Sequence, residues 1–150
     1  MRFYDREKEQ QVLGEVLQRS KTEAKMTVLM GRRRIGKTEL SLRCGDETVL
    51  YFFVGKKAET LLCQDYVREI REKLDAPILG TPNTFSEVFR FVLQLSEIRP
   101  FTLVIDEFQN FLKINPAIFS DIQRDWDLHK RSSHLNLIIS GSVFTLMTKI

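Results

Sequence analysis

Gly31-Arg32-Arg33-Arg34-Ile35-Gly36-Lys37-Thr38 has the spacing G-x-x-x-x-G-K-T, the pattern of a phosphate-binding P-loop. The pattern needs a strand before it and a helix after it. Lys25-Met26-Thr27-Val28-Leu29-Met30 is a short apolar run that reads as a strand, and Glu39-Leu40-Ser41-Leu42-Arg43 can open a helix. Gly31 and Gly36 let the backbone approach an anion with no Cβ in the way. Successive N–H groups then form an anion-binding nest, and the helix start adds unpaired donors and partial positive charge. In this arrangement Ile35, Gly36 and Glu39 belong to the phosphate cradle, Lys37 reaches the β- and γ-phosphates, and the Thr38 hydroxyl sits on Mg²⁺. Arg32, Arg33 and Arg34 fall inside the same loop. Electrostatic help for a triphosphate is the simplest role for them; contact with nucleic acid and a link to a carboxylate near the site are the sharper alternatives.

Working outward, 150 residues suffice for one domain with a sizeable core, taken here as residues 1–150. A charged fraction of 29% and an apolar fraction of 43% are ordinary for a globular chain. No apolar run is long enough to span a bilayer, and the charged start Met1-Arg2-Phe3-Tyr4-Asp5-Arg6-Glu7-Lys8 lacks the apolar core of a signal peptide. The expectation is a cytoplasmic protein with no membrane partner. Cys44 and Cys63 fit neither a disulfide framework nor a metal spacing, and His129 and His134 have no evident co-ligands. No metal is expected beyond Mg²⁺ arriving with a nucleotide. The net charge of +3 is too small to argue for nucleic acid by itself.

The rest of the chain alternates strand and helix. Residues 6–19 read as a helix capped by Asp5, residues 26–30 as a strand and residues 37–44 as the helix after the loop. Val49 to Val54 is unbroken apolar sequence, typical of a strand covered on both faces. Residues 57–74 are helical, with Leu62, Tyr66, Ile70 and Leu74 at i+4 steps, and Asp75-Ala76-Pro77 ends them. Thr84-Phe85-Ser86-Glu87 is a capping box for a helix whose apolar face is Phe85, Val88, Phe89, Val92 and Leu93. Arg99-Pro100 breaks it, and Phe101 to Ile105 is a strand. Asn115-Pro116 supplies an N-cap and first helical position for a helix with Ile118, Phe119, Ile122 and Trp126 inward. Leu135 to Ile139 is a fourth strand. Such alternation predicts an α/β fold: a parallel sheet between helical layers, a three-layer αβα sandwich.

Two further features carry chemistry. Phe101-Thr102-Leu103-Val104-Ile105-Asp106-Glu107 is a buried strand ending in adjacent carboxylates, the Walker B arrangement of P-loop ATPases. The Asp at the strand tip helps hold Mg²⁺ and the Glu polarises the attacking water. Ligands of parallel sheets bind outside the carboxyl ends of the strands, where this pair would lie. Leu137-Ile138-Ile139-Ser140-Gly141-Ser142 delivers a polar residue at a second strand tip. Ser140 is a candidate to sense the γ-phosphate or orient the water, or else it marks a strand-ending turn. Gln109 and Asn110 follow the acidic pair and are weaker candidates for the same water.

In this order the three features resemble AAA+-like ATPases with a catalytic Glu. More closely, the chain resembles the archaeal-type ATPase family of the STAND (signal-transduction ATPase) branch. The matching residues are Phe3-x-Asp5-Arg6-Glu7, Gly31 to Thr38, Ile105-Asp106-Glu107-Phe108-Gln109, Gln123-x-x-Trp126-Asp127 and Ser140-Gly141-Ser142. The resemblance implies ATP rather than GTP, and a strand order 5-1-4-3-2. It also places Phe3 and Arg6 near the adenine; helix capping is the alternative role for that segment.

Family members continue after Ser140-Gly141-Ser142 into a fifth strand, a helical lid and a further domain, whereas this chain stops at Ile150. The fifth strand is therefore expected to be absent, leaving the strand before Gly31 at a sheet edge, which favours self-association. The leading expectation is a Mg²⁺-dependent ATPase acting as a switch for a missing C-terminal region or a protein partner. Lys37, Glu107 and Ser140 would be catalytic, with Thr38 and Asp106 on the metal. Turnover is expected to be slow, since no residue is an assured arginine finger, a group that supplies about 10³–10⁵ in rate. A regulatory scaffold that holds ATP or ADP without turnover and a DNA-associated loader are the alternatives. Glu107→Gln separates the first from the ATPase, and salt-dependent DNA binding tests the second.

Overall fold

The computed structural model describes residues 7–30, 48–76 and 80–141. Four parallel strands form one sheet: β1 (Lys25–Met30), β2 (Val49–Phe53), β3 (Phe101–Asp106) and β4 (Leu135–Gly141). Their spatial order is β1-β4-β3-β2. This is the 1-4-3-2 part of the expected order, with the fourth strand inserted between the strand before Gly31 and the strand carrying Asp106. The described helices are α1 (Glu7–Ser20), α2 (Glu59–Leu74), α3 (Phe85–Ile98), α4 (Phe111–Ile114) and α5 (Ile118–His129), with a 3₁₀ turn at Phe108–Asn110. The helix expected over residues 37–44 lies outside the described residues.

The two inner strands have the unbroken burial that parallel sheets require: every residue of β3 and β4 is buried. β2, expected to be covered on both faces, buries only one: Leu50 and Phe52 are buried, Val49 and Tyr51 partly so, and Phe53 is exposed, as suits an outer strand. One face of the sheet presents Leu50, Phe52, Leu103, Ile105, Leu137 and Ile139 to α2, α3 and α5. Phe85 sits at the centre of that layer, its ring 4.7 Å from Phe111, 5.7 Å from Tyr66 and 6.0 Å from Phe89. Cys63 is buried in the same cluster. Burial, with Glu59 and Glu87 adding negative charge, pushes its thiol up to about 12, so it stays protonated and unreactive at neutral pH. The opposite face carries a smaller apolar cluster of Val104 and Ile138 with Leu29, Val49 and Tyr51.

Local chemistry sets the element ends. Thr84 caps α3 as expected, its Oγ1 accepting from the Glu87 N–H at 3.3 Å. Glu87 reaches back one residue further than a capping box requires, to the Asn83 N–H at 3.3 Å. Glu59 ties three segments together by accepting from the Phe85 N–H at 2.7 Å and from Asn115 Nδ2 at 3.2 Å. The expected helix start at Asn115-Pro116 falls two residues late. Asn115 is extended, as residues before proline tend to be, and its Oδ1 accepts the Ala117 N–H at 3.1 Å. That Asx turn takes up residues 116–117, and α5 begins at Ile118. Asp5, read as the cap of α1, lies outside the described residues.

The two outer strands of the described sheet differ. β2 has its free side occupied: the Tyr51 N–H donates to Glu69 Oε2 at 2.8 Å, and the Tyr66 hydroxyl donates to the Phe53 carbonyl at 2.9 Å. Both acceptor and donor come from α2, whose Tyr66 ring stacks on Phe52 at 4.2 Å. Covering an outer strand with a helix is one way to block unwanted pairing. At β1, only the side facing β4 is paired among the described residues.

Candidate active site

The register brings the carboxyl ends of all four described strands to one level. Phe53 pairs with Asp106, Ile105 pairs with Ile139, and Met30 pairs with Gly141. Asp106 and Ser140, each one residue beyond the Ile105–Ile139 pair, therefore meet side by side. Met30 immediately precedes Gly31, so the chain enters the G-x-x-x-x-G-K-T sequence from the same end of the sheet.

Asp106 is 4% exposed and accepts hydrogen bonds on both oxygens. Oδ1 receives the Ser140 hydroxyl at 2.7 Å and the Glu107 N–H at 2.9 Å. Oδ2 receives the Tyr51 hydroxyl at 2.6 Å. Three donors on two oxygens suit a carboxylate, whose oxygens together offer about four acceptor sites. Its orientation is thus fixed from β2, from β4 and from its own chain.

Glu107 is 5% exposed and has left-handed backbone, φ 57 and ψ 41. A non-glycine residue in that region is disfavoured by about 1–2 kcal/mol. The turn it makes ends β3 and sends Phe108 into the core against Phe111 and Phe119, each ring 5.3 Å away. Glu107 Oε2 accepts from Gln109 Nε2 at 2.7 Å. Asn110, the other residue considered for the water, is engaged elsewhere: its Nδ2 donates to the Val54 carbonyl at 2.7 Å and secures the end of β2.

Of the site residues expected from sequence, Asp106, Glu107 and Ser140 come together. Phe3, Arg6, Gly31, Arg32, Arg33, Arg34, Ile35, Gly36, Lys37, Thr38 and Glu39 lie outside the described residues. Gln123, Trp126 and Asp127 do not join the acidic pair; they line a hollow with Met26 and Ile122 near the start of β1. Ser140 is fully buried with its hydroxyl hydrogen directed at Asp106, which favours a part in holding that carboxylate. Tyr51 was hidden within the apolar run 49–54. The available signal was its hydroxyl, the one side-chain polar atom in an otherwise apolar run, since a tyrosine hydroxyl within a packed strand usually finds a partner.

A hard divalent cation suits oxygen donors, and Mg²⁺ is commonly held by one or two carboxylates together with substrate phosphates and water. Asp106 meets that description. With both oxygens already accepting protein donors, it is suited to a water-mediated contact rather than to bidentate chelation. Among the described residues no cluster of three His, Cys, Asp or Glu forms a self-sufficient metal cage.

A parallel β1-β4-β3-β2 sheet with helical layers and an acidic pair at its carboxyl end defines the P-loop NTPase fold. Residues 19–144 match the family described as AAA domain, and the chain belongs to that family. It is 30% identical over 145 residues to an uncharacterized protein of Methanocaldococcus jannaschii, covering 97% of this chain and 30% of that protein. The chain thus spans under a third of that relative's length. Among solved structures it is similar to Cdc6p from Pyrobaculum aerophilum, with a TM-score of 0.68 and 19% identity over 99% of this chain and 42% of the other. It is also similar to a Walker-type ATPase of Pyrococcus abyssi, with a TM-score of 0.67 and 21% identity over 98% of this chain and 47% of the other. Membership of the AAA domain family is consistent with nucleotide binding. No helix among the described residues is long and apolar enough to cross a membrane.

Proposed function

We propose that this chain binds ATP with Mg²⁺ and hydrolyses its β–γ phosphoanhydride. The observation that carries this reading is the placement of Asp106 and Glu107. They stand at the carboxyl end of β3, with β4 between it and β1, whose last residue leads directly into Gly31 to Thr38. In the proposed reaction, water attacks the γ-phosphorus in line while the bond to the bridging oxygen breaks and ADP leaves. Lys37 offsets charge on the β- and γ-phosphates, and Thr38 and Asp106 hold the cation. Glu107 orients the water and takes its proton. Bound Mg²⁺ supplies neutralisation of the phosphate charge. The three arginines at 32–34 add positive potential to the loop, and Phe3 and Arg6 face the adenine. The motif Ile105-Asp106-Glu107-Phe108-Gln109 supports placing the chain in the STAND branch, with nucleotide state signalling to a C-terminal region. The greater length of the Methanocaldococcus jannaschii relative agrees with such an arrangement.

Calorimetry with Mg·ATP, on wild type and Lys37→Ala, tests the proposal when phosphate release is followed alongside. Tight binding by wild type, loss of that binding in the variant, and measurable phosphate release are the expected results. Equal binding by both proteins would refute the assignment of the loop. Binding without release would leave a nucleotide-holding scaffold in place of an ATPase.

A further inference from the structure

We propose that Tyr51 is a positioning residue for the cation site, acting through Asp106. The inference rests on the metal-holding role assigned to Asp106 above. Its hydroxyl donates to Asp106 Oδ2 at 2.6 Å, the shortest of the three bonds described to that carboxylate. The bond spans two strands. Tyr51 pairs with Val104, so the phenol leans along the sheet to reach the residue two positions further on the same face of β3.

Ser140 and the Glu107 N–H both act on Oδ1, and Tyr51 acts on Oδ2. Because the carboxylate is planar, donors on both oxygens resist its rotation about the Cβ–Cγ bond from two sides, and loss of the phenol leaves only the Oδ1 side held. A carboxylate that holds Mg²⁺ through ordered water must present its oxygen in one direction, because the near-octahedral hydration shell of Mg²⁺ tolerates little misalignment. Groups that orient a metal-holding side chain typically change metal affinity about 10–100-fold when removed.

Tyr51 is in turn anchored from outside the site. Its backbone N–H donates to Glu69 Oε2, so α2 fixes the segment of β2 from which the hydroxyl reaches inward. The apparently apolar strand 49–53 thus contributes one functional atom, and the helix beside it sets where that atom lies.

Tyr51→Phe removes the hydroxyl and keeps the ring. Tyr66→Phe is the matched control: it also removes a tyrosine hydrogen bond to this part of the sheet, the one to the Phe53 carbonyl, without touching Asp106. Mg²⁺ is titrated into protein with ATP, binding is read by calorimetry, and ATP binding is repeated in EDTA. For Tyr51→Phe the Mg²⁺ concentration giving half the effect should rise about tenfold, with affinity in EDTA unchanged. Tyr66→Phe should keep the wild-type Mg²⁺ response. Asp106→Asn must lose that response; if it does not, the metal assignment itself fails, a result separable from failure of the Tyr51 role. A wild-type Mg²⁺ response in Tyr51→Phe alongside a defective Asp106→Asn overturns the inference. Should Tyr51→Phe not fold, ¹³Cζ-tyrosine NMR on the wild type decides. The chain has three tyrosines, assignable with Tyr4→Phe and Tyr66→Phe. The Tyr51 signal should move when Mg²⁺ joins the ATP complex, and a stationary signal refutes the proposal.

Discussion

The two faces of the sheet are made by the same four strands and do opposite work. On the face covered by α2, α3 and α5 the alternate residues are apolar throughout, Leu50 and Phe52, Leu103 and Ile105, Leu137 and Ile139. On the other face the strands present Tyr51, Thr102, Asp106, Asn136 and Ser140 around Val104 and Ile138. Buried polar groups are costly unless paired, and here they are paired with one another. Asn136 Nδ2 donates to Thr102 Oγ1 at 3.2 Å, and Tyr51 and Ser140 both donate to Asp106. The pairing is incomplete at Asn136 Oδ1, which is buried without a partner among the described residues. A period of two residues therefore separates a layer that contributes stability from one that holds reactive groups at some expense to it.

The largest effect should come from the apolar face. Phe85→Ala removes a fully buried ring with four aromatic neighbours and should cost about 3–5 kcal/mol in denaturant unfolding. The contrasting change is Glu107→Gln. It should lower phosphate release about 10²–10⁴-fold, leave nucleotide affinity in place, and shift stability by less than about 1 kcal/mol. An amide of the same shape still offers an oxygen to Gln109 Nε2. The comparison breaks if Glu107→Gln unfolds as readily as Phe85→Ala, for then the polar end would be part of the stabilising framework. It sharpens if the two variants show cleanly separate defects.

How much of this could be read from sequence follows from the range of the interactions. The four strands and the longer described helices were legible because period and capping are local: Thr84 and Glu87 announce α3 within four residues. The 3₁₀ turn and the short α4 that follow Glu107 carry no such local signal. The acidic pair was legible because both carboxylates are adjacent at a strand end. Tyr51 was not, since its partner Asp106 is 55 residues away and only the parallel register of β2 and β3 brings them together. Ser140 was recognised as a polar strand tip, yet its particular bond to Asp106 depends on β4 lying beside β3, an arrangement implied by family resemblance and not by the residues alone. The slip at Asn115 has a local cause. An Asx turn and a helix cap use the same side-chain oxygen, and sequence does not say how many residues lie between that oxygen and the first helical turn.

The smallest expected effect isolates the cost of the site's backbone. Two described non-glycine residues are left-handed, Asp75 with φ 51 and Glu107 with φ 57. Asp75 is exposed and ends α2, its N–H donating to the Arg71 carbonyl at 3.1 Å. Glycine is the usual residue at such a helix end, and removing a negative charge there also suits the partial negative charge of the terminus. Asp75→Gly should therefore stabilise the fold by about 0.5–1 kcal/mol, read as a higher denaturant midpoint with ATP turnover unchanged. Glu107→Gly relieves the same backbone strain but deletes the carboxylate, so any gain in midpoint should come with loss of turnover. If Asp75→Gly instead lowers the midpoint, the Asp75 side chain must be holding the helix end. The two left-handed positions would then no longer be comparable, and the strain at Glu107 could not be assigned to function on this ground.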